Sequence, residues 1–332
     1  VNLHSYLPST RRCLLGAALA LAASGLSPAF AQGDYPTKPI KLIVPFATAG
    51  VTDTSARIVA EKLGQILGQT VVVENKAGAA GNIGTQQVAG AEPDGYTLLL
   101  GYDGTLVINP SVYAKVPFDP IKDFAPIGKI GDAVLVVVVN PKVPATKLSE
   151  LQAAAKATPG GLSYGSAGIG STTHLAGEML RQRTGMNMTH VPYKGGGHAM
   201  GDLVGGTLPM HFTAVAGAMP FIKNNQIRPI AVASRQRAPS LPDVPTFIEA
   251  GLKDFEFNSW VGLMAPAKTP PAVIAKLNQA LNKVLSAPDM RERLNQLGIV
   301  AQPGTPESFG QEIVRDLAKN KAIVKAADIK LD

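Results

Sequence analysis

The residues best placed to do chemistry here are glycines and hydroxyls gathered where helices begin. GSAGIGSTTHL (165–175) leads from an apolar stretch straight into a helical pattern, and PFATAGVTDTSAR (45–57) follows the same plan earlier in the chain. The first four N–H groups of a helix lack an internal partner, and the dipole adds about half a positive charge there. Gly50, Gly165, Gly168 and Gly170 leave room for a ligand to approach the backbone. Thr48, Thr52, Ser166, Ser171, Thr172 and Thr173 add rotatable donors. Such an end holds a carboxylate without lysine or arginine, and two of them facing each other would clamp a carboxylated molecule. Each turn also has a purely structural reading. Glycine-rich strand-to-helix turns are common in α/β proteins, and Thr52 and Ser171 are plausible N-caps.

Three neighbouring residues are ambiguous in the same way. Asp53 either complements the helix dipole, bonds its own turn, or receives an ammonium or hydroxyl of a ligand. His174 either donates to a ligand or caps and packs, and Trp260 either lines a cleft or fills core. Catalytic signatures are thin. YGSAG is no G-x-S-x-G elbow, 165–170 carries its glycines in the wrong order for a dinucleotide fingerprint, and no phosphate loop occurs. His174, His190, His198 and His211 lack metal-ligand spacing. No metal and no cofactor is expected, and an exported hydrolase or lyase using Ser171 or His174 is the rival from another class.

Both loops need strands ahead of them and helices behind. IKLIVPF (40–46), TVVVEN (70–75) and YTLLLG (96–101) read as buried strands, separated by helices over 52–68 and about 83–90. AVLVVVVN (133–140) is long enough to cross from one lobe to another, after which the alternation restarts through LSYGSAG, MTHVPY, LPMHFTA and IRPIAVAS. FEFNSWVGLMAPA (255–267) would carry the chain back, and helices follow, with Thr269-Pro270 and Thr305-Pro306 as N-cap and first-turn pairs. Two α/β lobes joined by two crossing strands is the economical fold. The first would comprise residues 32–138 and 260–332, the second 139–259. In open α/β sheets ligands bind beyond the carboxyl ends of the strands, so each lobe offers one face to a shared cleft.

Bulk properties set the compartment. Arg11 and Arg12, the apolar run CLLGAALALAASGL and Ala29-Phe30-Ala31 have the three-part plan of a secretory signal spanning 1–31. The tandem arginines also fit a twin-arginine route. The single cysteine, Cys13, falls inside that signal, so the exported chain must rest on its core rather than on disulfides. Net charge is +7, dispersed and with 5% aromatics, which argues against nucleic acid and mildly favours an anionic small ligand. No second apolar span points to membrane insertion.

YPTKPIKLIVPF, VVVENKAGAAGNIGT, PDGYTLLLG, INPSVY, DFAPIGKI, LSYGSAGIGSTTHLAGE, VPYKGGG, RPIAVAS and LPDVPTFIEAG together carry a resemblance from Tyr35 to the C-terminus. The chain is similar to Bug-type extracytoplasmic solute receptors, the TctC-like binding component of tripartite tricarboxylate transporters. The resemblance implies a type II periplasmic binding protein fold, two α/β lobes with mixed sheets closing on a small di-, tri- or aromatic carboxylate. It also implies a periplasmic monomer that serves membrane transporter subunits, or an orphan sensor. By resemblance the first ligand loop is Phe46, Ala47, Thr48, Ala49, Gly50, Thr52 and Asp53. The second includes Ser166, Ala167, Gly168, Ser171, Thr172 and His174. Tyr102, Asp103, Thr105, Tyr193, Thr213 and Trp260 complete the cleft. The first loop departs from the usual Pro-Phe-Pro-x-Gly-Gly-x-x-Asp by losing one glycine and one or two prolines. Thr213 stands where relatives often carry an aspartate, and Tyr102-Asp103-Gly104 places an acid where hydroxyls are more usual.

Overall fold

A computed structural model describes residues 35–330 apart from 47, 49, 50, 194 and 195, so the expected signal lies outside the described residues. The chain divides into two units, Val1–Thr37 and Lys38–Asp332, and every element below lies in the second. In chain order these are β1 (Ile40–Val44), α1 (Val51–Leu67), β2 (Val71–Asn75), α2 (Asn82–Ala89), β3 (Thr97–Tyr102), an irregular turn (Gly104–Ile108) and α3 (Asn109–Val112). Next come β4 (Phe124–Ala133), β5 (Leu135–Val139), α4 (Leu148–Ala157), β6 (Leu162–Ser166), α5 (Thr172–Thr184), β7 (Met188–Pro192), α6 (Gly196–Gly205), β8 (Met210–Ala214), α7 (Val215–Lys223) and β9 (Arg228–Val232). The chain closes with β10 (Ser259–Pro266), α8 (Pro271–Ser286), α9 (Pro288–Gln296), β11 (Ile299–Ala301) and α10 (Pro306–Ala327).

Two sheets result. One has six strands in the order β11-β4-β10-β3-β1-β2, the other five in the order β7-β6-β8-β5-β9. β2, β1 and β3 are parallel, as are β7, β6 and β8, while β10, β4, β11, β5 and β9 add antiparallel pairs. The parallel halves matter for function, because they bring the carboxyl ends of β1 and β3, and those of β6 and β8, out at helix-leading loops.

The chain changes sheets at Val134. Residues 135–138, expected with the first lobe, pair instead with β8 and β9. The sequence hides this break because Ile130 and every residue from Leu135 to Val139 are buried, so a continuous apolar run reads alike in either sheet. The return crossing lies at Asn258. Phe257 N–H still donates to Ala233 O in the second sheet (2.8 Å), whereas Ser259, expected in the second lobe, already pairs with Ala133 in the first.

Burial of large side chains such as Tyr164, Phe212, Phe247, Phe255 and Phe309 supplies the stability that disulfides do not. Each is worth roughly 1.5–3 kcal/mol on removal from water. Two close approaches depend on glycine: a Cβ at Gly262 would lie 2.4 Å from the Phe309 ring, and one at Gly177 would lie 2.1 Å from the Tyr164 ring. Thr305 caps α10, as expected, and does so in a reciprocal box with Ser308. Thr269 does not cap α8. The helix begins one residue later, at Pro271, and the Thr269 hydroxyl is buried without a partner. Among the described residues no helix is long and apolar enough to cross a membrane.

Candidate functional site

The second loop is held by its own side chains. Ser166 ends β6 fully buried; its Oγ accepts the Gly168 N–H (3.1 Å) and shares a hydrogen with His190 Nε2 (2.6 Å). Ser171 Oγ donates to Gly168 O (2.7 Å) and caps α5 by accepting the His174 N–H (3.2 Å). Thr173 Oγ1 accepts the Ala167 N–H (2.9 Å), and His174 Nδ1 accepts the Gly170 N–H (3.1 Å). Gly168 and Gly170 adopt φ of 132° and 73°, which a side-chain-bearing residue would resist. The N–H groups of Ala167, Gly168, Gly170, Ser171 and His174 are thus used internally. Those of Ile169, Thr172 and Thr173 have no partner among the described residues, and the last two open the helix.

His174 is part of this scaffold rather than a donor into open space. Its ring stacks on His190 at 3.7 Å and 11°, and burial followed by the neighbouring histidine lowers its pKa to about 3. Burial likewise lowers His190 to about 4, so both rings are neutral near pH 7. Beneath them Tyr164 donates to Glu178 (2.8 Å), tying β6 to α5. The Ser166–His190 contact resembles part of a catalytic dyad. A nucleophile must be reachable, however, and Ser166 is fully buried, with its Oγ accepting from Gly168 N–H and within donating distance of Gly168 O (3.1 Å).

The first loop is held from outside. Asn75, the last residue of β2, donates through Nδ2 to Phe46 O (3.0 Å) and to Asp53 Oδ1 (2.9 Å). Arg57, one turn along α1, contacts Asp53 at 3.0 Å and Asn75 Oδ1 at 2.9 Å. Asp53, 3% exposed, is therefore a structural anchor in the first turn, where a negative charge suits the dipole. Phe46 packs edge-on to Tyr102 at 5.2 Å. Thr48 is exposed, and Thr52 O accepts the Ser55 hydroxyl (3.0 Å). Ala47, Ala49 and Gly50 lie outside the described residues.

A third element joins the two. Ala79 and Ala80 take left-handed φ of 46° and 52°, and Ala80 O accepts from Thr105 Oγ1 (2.9 Å) and Asn109 Nδ2 (3.1 Å). Such backbone strain persists only where surrounding contacts over-determine it. Asp103 follows β3. Its Oδ2 accepts from Thr172 Oγ1 across the lobes (3.1 Å), and its Oδ1 accepts from Ser259 Oγ (2.6 Å). Burial pushes Asp103 up to about 7, against the hydroxyl bonds that lower it, and pushes Tyr102 up to about 12. Phe46, Tyr102, Asp103 and Thr172 thus form one continuous path between the loops.

Three expected positions fall elsewhere. Trp260 is 1% exposed, edge-on to Phe309 at 5.1 Å with its indole N–H on Asp316 (2.9 Å), and joins neither loop. Its strand position alternates with Ser259, so one faces the path and the other the core. Tyr193 donates to Asp202 (2.7 Å) at the surface, although its N–H reaches Ser166 O (3.2 Å). Thr213 is buried on β8 opposite Val136. Asn75, Arg57, Ser259 and His190 were not assigned to the site from sequence. The signal for Asn75 was present, since a polar residue ends the apolar run TVVVEN just where β1 also ends. Among the described residues no group of three or more His, Cys, Asp or Glu is arranged to hold a metal.

The family described as tripartite tricarboxylate transporter family receptor matches residues 55–329. The chain belongs to that family. The receptor is 37% identical to a solved periplasmic binding protein, BugD, over 89% of this chain and 99% of that one, with a TM-score of 0.72. It is 32% identical to the R. palustris protein Rpa4515, solved with adipate, over 89% and 99% of the two chains (TM-score 0.76). MatC from Rhodopseudomonas palustris, solved with bound malate, shares 32% identity over 87% and 100% of the chains (TM-score 0.71). The fold is that of a periplasmic binding protein, and the receptor is a solute-binding protein of the Bug and TctC type.

Proposed function

We propose that the receptor captures a small organic carboxylate, a linear C4–C6 dicarboxylate, and presents it to membrane subunits of a tripartite tricarboxylate transporter. On this reading it acts in the periplasm as a monomer after removal of residues 1–31, and its lobes divide at Val134 and Asn258. The observation that carries it is the free helix start at Thr172 and Thr173, tied through Asp103 to the strand end beside the first loop. Orphan N–H groups at a helix start suit an anion, and hydroxyls set its orientation. The adipate and malate bound by the two relatives have that chemistry. Capture without turnover follows from the same arrangement, because the serine that meets a histidine is sealed and the serine at the helix start is a cap.

Thermal denaturation with adipate, malate, citrate, aromatic dicarboxylates and neutral sugars tests this reading. A true ligand at a hundred times its Kd adds about 2.7 kcal/mol of stability, and sugars add nothing. Stabilisation by sugars but by no acid would overturn it. Mass spectrometry of the recovered ligand should find it unaltered, and a chemically changed product would revive the hydrolase reading.

A further inference from the structure

We propose that this receptor binds its carboxylate together with a proton, taken up by Asp103. The inference rests on the carboxylate-receptor reading above and adds a regulatory property to the same site. Asp103 is 3% exposed, yet the partners of its two oxygens are all neutral: the hydroxyls of Thr172 from α5 and Ser259 from β10, and the Gly104 N–H. No described lysine or arginine forms an ion pair with it. The groups that face it offer no positive charge. They are the Tyr102 phenol on its own strand, the Asp316 carboxylate from α10 and the Gly104 N–H. Asp316 is itself engaged by Lys319 (2.8 Å) and Trp260.

An unpaired buried carboxylate is poorly solvated, and a second anion makes it worse. Thr172 is both the residue that bonds Asp103 and the first residue of the helix whose free N–H groups would hold the ligand. A ligand carboxylate there would stand one hydroxyl away from the Asp103 carboxylate. Two such anions in a dry site do not both remain ionised. The proton comes from solvent and forms an O–H bond on Asp103. That O–H then donates to Thr172 Oγ1, and the Thr172 hydroxyl, released from Asp103, turns to donate to the ligand. A hydroxyl can reverse its role in this way because it carries one donor and two acceptor sites. The pKa of about 7 that burial gives Asp103 places the free receptor where a small further rise produces measurable uptake near neutral pH.

Isothermal titration of the purified receptor with adipate and with malate, at pH 8 in Tris, HEPES and phosphate, tests the proposal. Both probes are fully ionised there, so any proton taken up goes to the protein. The dependence of the observed enthalpy on the ionisation enthalpy of the buffer should report between a half and one proton bound per ligand. Kd should weaken by up to about tenfold per unit above pH 7, the limit for one linked proton. Asp103→Asn should bind with no uptake and a Kd flat across that range. Ser259→Ala, which removes a donor that stabilises the carboxylate, should move the onset of weakening to higher pH. Binding of either probe by the wild type with zero uptake overturns this proposal alone, as does uptake that survives in Asp103→Asn. Failure of every carboxylate to bind overturns the receptor reading and this proposal with it. The wild-type buffer series decides the matter even if a variant fails to fold.

Discussion

The loop at 165–174 is tied by its own side chains, whereas the loop at 46–53 is tied by Asn75 and Arg57 arriving from β2 and α1. In the former each of Ser166, Ser171 and Thr173 serves two partners or more, and the His174–His190 stack backs them from below. In the latter one amide, Asn75, holds both the loop carbonyl of Phe46 and the helix-start carboxylate of Asp53. The difference separates two ways of shaping an anion site. A self-tied loop is preorganised and tolerates the loss of one contact. An externally tied loop takes its shape from a neighbour, and it fails when that neighbour is removed. On the proposed reading, preorganisation of the second loop lowers the entropic cost of binding.

The largest effect should come from disturbing what lies under the self-tied loop. A Cβ at Gly177 falls 2.1 Å from the Tyr164 ring, which is buried and fixed by its bond to Glu178. Gly177→Ala should therefore push α5 away from β6 and lower stability by roughly 2–3 kcal/mol, the upper range for overpacking. A urea midpoint unchanged from wild type would show that the scaffold under this loop is not rigid.

Next in size is Asn75→Ala. Losing its amide leaves the Phe46 carbonyl without that donor and weakens the hold on Asp53, a cost of about 1–3 kcal/mol for buried polar groups. Carboxylate affinity should drop by about tenfold or more, because the first loop loses its shape. A loss of stability with affinity intact in the folded fraction would remove 46–53 from the ligand site.

Both glycine- and hydroxyl-rich turns and the parallel strands before them were legible, because glycine, hydroxyls and apolar runs have local signatures. What holds the loops was not. Asn75 reaches Phe46 across 29 residues, and Ser259 reaches Asp103 across 156; no local pattern encodes such pairings. Asp53 and His174 were ambiguous for a related reason. Each is defined by a partner brought by the fold, Arg57 with Asn75 for one and His190 for the other. Thr269 and Thr305 look identical in sequence, as threonine before proline. Only Thr305 has a serine three residues on to close the box. At Thr269 the second proline of Thr269-Pro270-Pro271 shifts the helix start by one residue and strands the hydroxyl. The crossing at Val134 was hidden by an unbroken apolar run, and Trp260 was ambiguous between cleft and core because only alternation along β10, read against Ser259 on Asp103, shows it turned inward.

Ser171→Ala sharpens the comparison from the other side. It removes the cap of α5, which is worth about 1 kcal/mol. The Thr173 hydroxyl and the His174 ring still hold the Ala167 and Gly170 N–H groups. The affinity loss should be smaller than for Asn75→Ala, measured by titration with the same ligand. The reverse order would mean that the self-tied loop is the more fragile of the two.

The most discriminating effect is in the pH dependence of stability without ligand. His174 and His190 have folded pKa values of about 3 and about 4, below the usual 6.5, so the unfolded chain binds more protons between those limits. Their contribution is complete above pH 6.5 and is lost as pH falls through that window. Asp103 has a folded pKa of about 7, above the usual 3.8, so between 3.8 and 7 the folded chain binds more protons and its contribution grows as pH falls. The two regions therefore offset each other over much of pH 4–6.5, and the wild-type curve understates both. Single variants separate them. Relative to wild type, His190→Gln should become progressively more stable as pH drops from 6.5 to 4.5. Asp103→Asn should become progressively less stable over the same range. Urea titrations at three pH values suffice, since the two differences must slope in opposite directions. A common slope would mean that these groups do not titrate in the environments the fold gives them, and that the second loop owes its shape to something other than a pair of neutral stacked histidines.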